Sequence, residues 1–186
     1  MNDQKERRMK GRMTAILATV ALCGTVVLAQ PLRAAEPEKK GTVQGTAMGN
    51  RFIDIVQTGT DGKEKTLSEV VKGKKYVLID FWASWCGPCM REVPYLKEAY
   101  DKYAGKGFEI FGVSLDYQKS AWTETIESNG MGWVHVSDLE YWKNAAAVKY
   151  GVRSIPANFL VDSDGTIVAV NLRGESLKEK LAELLD

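Results

Sequence analysis

The chain is poor in the residues that most often build metal and acid–base centres: its 186 residues include three cysteines and one histidine. A structural zinc site takes about four ligands, and outside Cys86 and Cys89 only Cys23, His135 and carboxylates are on offer, so no metal is expected. Three cysteines are too few for a scaffold held by disulfides. Met90 follows Cys89 where covalent haem attachment through Cys-x-x-Cys-His needs a histidine. Charge of one sign is also lacking. Residues 1–35 hold six of the 25 basic and two of the 24 acidic residues, which leaves a net −3 on the remainder. With no strongly basic stretch there, nothing suggests nucleic-acid binding, and none is expected. Beyond residue 35 no apolar run approaches the ~20 residues that span a bilayer.

What is present begins with an address. Lys5, Arg7, Arg8, Lys10 and Arg12 precede an uncharged stretch of small and apolar residues, Met13 to Ala29, with further small residues at Ala34 and Ala35. This is the layout of a secretory signal peptide, with cleavage after Ala29, Ala34 or Ala35, or else of an uncleaved anchor. Leu22 stands where a lipid-attachment site at Cys23 would need a small residue, and Cys23 reads as a small apolar residue of that stretch. Residues 1–35 are therefore expected to be signal or anchor, 36–50 a polar linker, and 51–186 one globular domain. An exported domain meets an oxidising compartment, where a lone cysteine pair is redox-exposed.

That pair is Cys86 and Cys89, within Trp85-Cys86-Gly87-Pro88-Cys89. It follows an apolar run, Tyr76 to Trp82, and precedes a helical pattern from Met90 to Tyr103 with Val93, Leu96, Ala99, Tyr100 and Tyr103 on one face. A thiol at a helix N-terminus meets unpaired N–H groups and the positive end of the helix dipole, which favour thiolate. Cys86 is expected to attack, and Cys89, one turn further in and more sheltered, to resolve. A purely structural bridge is a poor alternative, because closing so small a loop constrains the unfolded chain little.

Around the pair the chain alternates strands and helices. Arg51 to Val56 reads as a strand entering a hairpin at Thr60-Asp61-Gly62-Lys63. Thr66 with Glu69 predicts a capping box opening a short helix over Leu67, Val70 and Val71. Phe108 to Leu115 is a strand, Ser120 to Ser128 a helix stopped at Asn129-Gly130, Trp133 to Val136 a short strand, and Asn144 to Tyr150 a short helix. Asn158 to Val161 and Thr166 to Val170 form a hairpin about Ser163-Asp164-Gly165. Ser176 with Glu179 predicts a second capping box. This order implies an α/β fold with helices on both faces of the sheet. His135, without evident partners, is expected to be a half-exposed strand residue, and Trp85 part of a substrate lip.

The run Asp80-Phe81-Trp82-Ala83-Ser84-Trp85-Cys86-Gly87-Pro88-Cys89 with Pro94 behind it resembles thioredoxin. The export signal, the front hairpin and Tyr150-Gly151-Val152-Arg153-Ser154-Ile155-Pro156 are similar to the exported TlpA/ResA branch of that superfamily, over roughly residues 50–186. The resemblance implies a thioredoxin fold: a central mixed sheet flanked by helices, an N-terminal hairpin and an inserted helix and strand over 120–136. It implies a cis bond at Ile155-Pro156 beside the cysteines, forming with Trp85 the substrate-binding edge. Glu92 falls where this branch often carries a buried acid and Asp80 where thioredoxin carries its own; having both is a departure. Asp80, ending a buried strand, should be poorly solvated with a raised pKa, and either acid would then suit proton exchange with Cys89. Ala83 stands where peroxiredoxins want Thr or Ser. Ser154-Ile155-Pro156-Ala157 departs from the Gly-x-Pro-Glu of dedicated cytochrome c maturation thioredoxins.

These readings lead to an exported thiol–disulfide oxidoreductase that reduces disulfide-containing proteins. It needs no cofactor, is recharged by a membrane-bound electron donor and acts as a monomer. The rival readings are a peptide-binding or chaperone module that uses the same groove, and a thiol peroxidase.

Overall fold

A computed structural model describes residues 43–186. The expected signal or anchor over 1–35, with Cys23 and the cleavage positions, lies outside the described residues, as do residues 36–42 of the expected linker. The strands are β1 (Val56–Gly59), β2 (Glu64–Thr66), β3 (Tyr76–Trp82), β4 (Phe108–Ser114), β5 (Val134–Ser137), β6 (Ala157–Asp162) and β7 (Ile167–Val170). The helices are α1 (Leu67–Val71), α2 (Gly87–Tyr103), α3 (Lys119–Asn129), α4 (Ala145–Lys149) and α5 (Gly174–Leu185).

The strands make one mixed sheet in the order β2-β1-β5-β4-β3-β6-β7. β3, β4 and β5 are parallel neighbours, and the two flanking pairs are antiparallel. β3 and β4 are buried almost throughout, which is why each reads as a nearly unbroken apolar run rather than an alternating one. Alternation still sorts their side chains between the two faces. Trp82 lies 5.6 Å from the His135 ring, His135 5.4 Å from Trp133, and Trp133 5.7 Å from Tyr100 on α2. Phe81 points the other way, to Tyr150 after α4 at 5.4 Å and Phe159 at 6.1 Å. Asp80 has the parity of Trp82 and so lies on the face covered by α2 and by α5, which packs along α2.

The structure departs from the sequence reading in four places. The expected strand from Arg51 begins only at Val56. Asp54 interrupts it: its Oδ1 accepts the N–H groups of Ile55 at 3.0 Å and Ser68 at 2.9 Å. The preceding residues pair instead beside β7, with Ile167 N–H on the Asn50 carbonyl and Phe52 N–H on the Gly165 carbonyl, each at 2.9 Å. Asp54, rather than the Thr66 side chain, thereby serves the start of α1, where Thr66 makes no capping bond. The last helix starts at Gly174, two residues before the expected Ser176 cap; Ser176 Oγ accepts the Arg173 N–H at 2.9 Å from inside the first turn. His135 is buried, not half-exposed. Its Nε2 bonds the Met131 carbonyl at 3.2 Å, so Nε2 carries the proton, and Nδ1 lies unpaired against Gly112. Burial pushes its pKa down to about 4.

Candidate active site

The cysteine pair sits where β3 hands over to α2. Cys86 is the N-cap of α2, with extended backbone, and Pro88 occupies the first turn, where its missing N–H leaves no helix bond unmade. The Cys89 N–H points at Cys86 Sγ at 3.1 Å. The sulfur thus takes the place that a Ser, Thr or Asp oxygen fills in an ordinary cap. A thiolate there would be held by that N–H and by the helix dipole. Cys86 and Cys89 are joined by a disulfide. They are 5% and 3% exposed, so they differ less in shelter than in position: one sulfur is the cap, the other lies inside the turn.

The loop that carries the pair is braced from β4. Asp116 follows that strand, is buried, and accepts from Ser84 N–H at 3.1 Å, Ser84 Oγ at 2.5 Å and Ser114 Oγ at 2.7 Å. On the other side, Cys86 Sγ lies 3.8 Å from the Ile155 carbonyl oxygen. In the disulfide state that sulfur has no proton to donate, so this is a close approach. The Ile155–Pro156 peptide bond is cis, and both residues are half-buried beside the sulfur. Trp85 is exposed next to it.

Behind the pair lies a polar cluster that joins four elements. Asp80 on β3 is opposite Asn158 on β6 in register, and both are buried. Burial lifts the Asp80 pKa from 3.8 to about 7; Arg173 draws it down, Glu92 pushes it up, and a hydrogen bond from Asn158 draws it down. Asn158 also closes a two-way bond with Leu172, its Nδ2 on the carbonyl at 2.8 Å and its Oδ1 on the N–H at 2.9 Å. Next in the chain, Arg173 donates to the Leu172 carbonyl at 2.7 Å and to the Pro156 carbonyl. Glu92 does not pair with Arg91 or Lys97; its Oε2 accepts the Gly174 N–H at 2.8 Å. This sets a carboxylate on the N-terminus of α5, where the dipole favours it.

The structure therefore brings Cys86, Cys89, Trp85, Ile155 and Pro156 to one edge of the sheet, with Asp80 and Glu92 on the side covered by α2 and α5. Sequence reasoning missed Asn158, Arg173 and Asp116. Each left a faint signal: Asn158 and Asp116 are polar residues at the ends of apolar runs, and Arg173 stands directly before a helix start.

Residues 47–185 match the Redoxin family. The thiol-disulfide oxidoreductase ResA of Bacillus thuringiensis subsp. konkukian is 34% identical over 139 residues, covering 74% of this chain and 76% of that protein. ResA of Geobacillus thermodenitrificans is 29% identical over 183 residues, covering 98% of this chain and 97% of its own. Among solved structures, the thioredoxin domain of a thiol-disulfide oxidoreductase from Bacteroides vulgatus superposes with a TM-score of 0.70 at 34% identity, over 75% of this chain and 99% of that one.

Proposed function

The chain belongs to the redoxin family and is a thiol–disulfide oxidoreductase, and we propose that it works in the reducing direction on disulfides of exported proteins. One observation carries the assignment of roles: Cys86 Sγ caps α2 and receives the Cys89 N–H at 3.1 Å. In the reduced protein the Cys86 thiolate attacks one sulfur of a substrate disulfide. That S–S bond breaks, the second substrate sulfur leaves as thiolate and takes up a proton, and a mixed disulfide remains on Cys86. Cys89 then loses its proton and attacks Cys86 Sγ. The Cys86–Cys89 disulfide forms, the first substrate sulfur leaves, and two electrons have passed to the substrate.

Asp80 is the proposed acceptor of the Cys89 proton, since a carboxyl group with a pKa of about 7 exchanges protons near neutrality. Glu92 tunes it, and Asn158 and Arg173 position it. Ile155, Pro156 and Trp85 form the edge over which substrate lies. Residues 1–35 direct the domain out of the cytoplasm, as cleaved signal or retained anchor. Among the described residues no helix is long and apolar enough to cross a membrane. Each turnover leaves the oxidised pair, so a dithiol donor must restore it; an exported domain meets such a donor at the membrane. Disulfide-bearing proteins are the substrates, and the domain is proposed to act as a monomer.

Reduction of insulin by dithiothreitol tests this reading. The wild type should accelerate it and Cys86→Ser should not. Acceleration that survives Cys86→Ser would overturn the assignment, and suppressed aggregation without faster reduction would support a peptide-holding module instead.

A further inference from the structure

Three loops leave the C-terminal ends of the parallel strands β3, β4 and β5, the edge where open α/β sheets bind their ligands. Each brings exposed aromatic rings to the same place. Trp85 comes from the loop after β3, Tyr117 from the loop after β4, and Tyr141 and Trp142 from the loop after β5. All four are between 37% and 61% exposed, unlike Trp82, Trp122 and Trp133, which are buried. Tyr141 is the hub: its ring lies 5.0 Å from Trp85, 5.9 Å from Tyr117 and 6.0 Å from Trp142, and Trp142 is 6.0 Å from Trp85. Rings gathered this way without a buried role mark an interaction surface.

The surface is built rather than loose. Asp116 ties the Trp85 loop to the Tyr117 loop through Ser84. The third loop is held by Asp138, which accepts from the Glu140 N–H at 3.1 Å, Asn144 Nδ2 at 2.8 Å and the Ala145 N–H at 2.8 Å. Within that loop Leu139 and Tyr141 have φ of 61° and 54°, a left-handed conformation that costs a non-glycine residue about 1 kcal/mol or more. Such strain persists where the surroundings over-determine it, and it clusters at ligand-holding sites.

We infer that Trp85, Tyr117, Tyr141 and Trp142 form a docking platform for an extended polypeptide segment that carries a large apolar or aromatic side chain within about three residues of its reacting cysteine. The occupant follows from continuity. A substrate sulfur bonded to Cys86 fixes its own chain next to Trp85, so the residues flanking that cysteine must cross the adjoining surface. Steps of 5.0 and 5.9 Å lead from Trp85 through Tyr141 to Tyr117, the reach of roughly three residues of extended chain at ~3.3 Å each. None of the four rings carries a charge, so the platform rewards apolar burial and aromatic contact. This inference rests on the thiol–disulfide exchange reading and adds to it the class of sequence preferred.

The test uses two disulfide-linked peptides, alike except that tryptophan or serine flanks the cysteine. The wild type should reduce the tryptophan peptide about tenfold faster in kcat/KM, the gain expected of one or two well-placed aromatic contacts. In the double variant Tyr141→Ser/Trp142→Ser the ratio should fall toward one. Tyr117→Ser, a change at the most exposed of the four rings, should lower it about threefold and serves alone if the double variant does not fold. Val148→Ser, a change at an exposed apolar residue of α4 outside the platform, should keep the full ratio. A ratio near one in the wild type, or one unmoved in both platform variants, overturns the docking inference and leaves disulfide reduction standing. Reduction of neither peptide by the wild type overturns the reducing reading, and the docking inference with it.

Discussion

Replacing Asp80 by asparagine keeps the shape of the side chain and removes its titration. In the unfolded chain this carboxyl group ionises near 3.8, and in the fold at about 7 because it is buried. Between those values the folded state holds a proton that the unfolded state has lost, so raising the pH through that window destabilises the fold. The rise from 3.8 to about 7 corresponds to ~4 kcal/mol at 1.36 kcal/mol per pH unit. His135 works in the opposite sense. Its folded pKa of about 4 lies below the unfolded ~6.5, so its contribution is lost as pH falls through that range. The two effects mask each other in one protein and separate in a difference. We therefore predict that the unfolding free energy of Asp80→Asn minus that of the wild type grows by ~4 kcal/mol between about pH 3 and 8 and is flat above pH 8. Urea unfolding of both oxidised proteins at each pH measures it, with the disulfide intact so that no thiol titrates. The size of the asparagine swap itself drops out, because only the change with pH counts. A difference that does not vary with pH, or that shrinks as pH rises, would refute the claim that Asp80 is held protonated by burial.

The same cluster makes further predictions. Arg173→Gln should raise the Asp80 pKa and Glu92→Gln should lower it, each by about one pH unit, followed by carbon-13 NMR of the carboxyl group; shifts of one sign in both variants would mean that Asp80 does not face them. Asp80→Asn and Glu92→Gln should slow resolution of the mixed disulfide more than its formation, with the gap closing toward pH 9, above the free thiol pKa of ~8.5; stopped-flow traces that show equal slowing of both steps would leave these acids structural. Protein isolated from its source cell should have an intact mass lacking Met13 to Ala29, whereas a mass that retains them points to the anchor.

The reach of the sequence followed the range of the interactions involved. The unbroken apolar runs of β3 and β4 and the helical stripe of Val93, Leu96 and Ala99 are local patterns, and with them the place of Cys86 at a helix start was legible. The failures were at positions where a side chain acts on distant backbone. Asp54 ends one segment and serves α1 fourteen residues on at Ser68, so neither the late start of β1 nor the idle Thr66 could be read from neighbours. Glu92 takes the Gly174 N–H, eighty-two residues away, a partner that no local pattern names. His135 was misjudged because its burial depends on Trp82 of β3 closing over it from another segment, beside its own chain neighbour Trp133. Asn158 and Arg173 became site residues only once β6 lay against β3 and the chain returned along α5. The aromatic platform likewise exists only where three loop ends converge.

Cys86 is the proposed attacking sulfur and Cys89 the proposed resolving one. The most direct test of these roles is to mix reduced Cys89→Ser and reduced Cys86→Ser with a disulfide-linked peptide at neutral pH, quench with acid, and map the adducts by mass spectrometry. A stable peptide adduct should form on Cys86 in the Cys89→Ser protein, with little or none in the Cys86→Ser protein on the same timescale. An adduct that forms as fast on Cys89, or no adduct on Cys86, would contradict these roles.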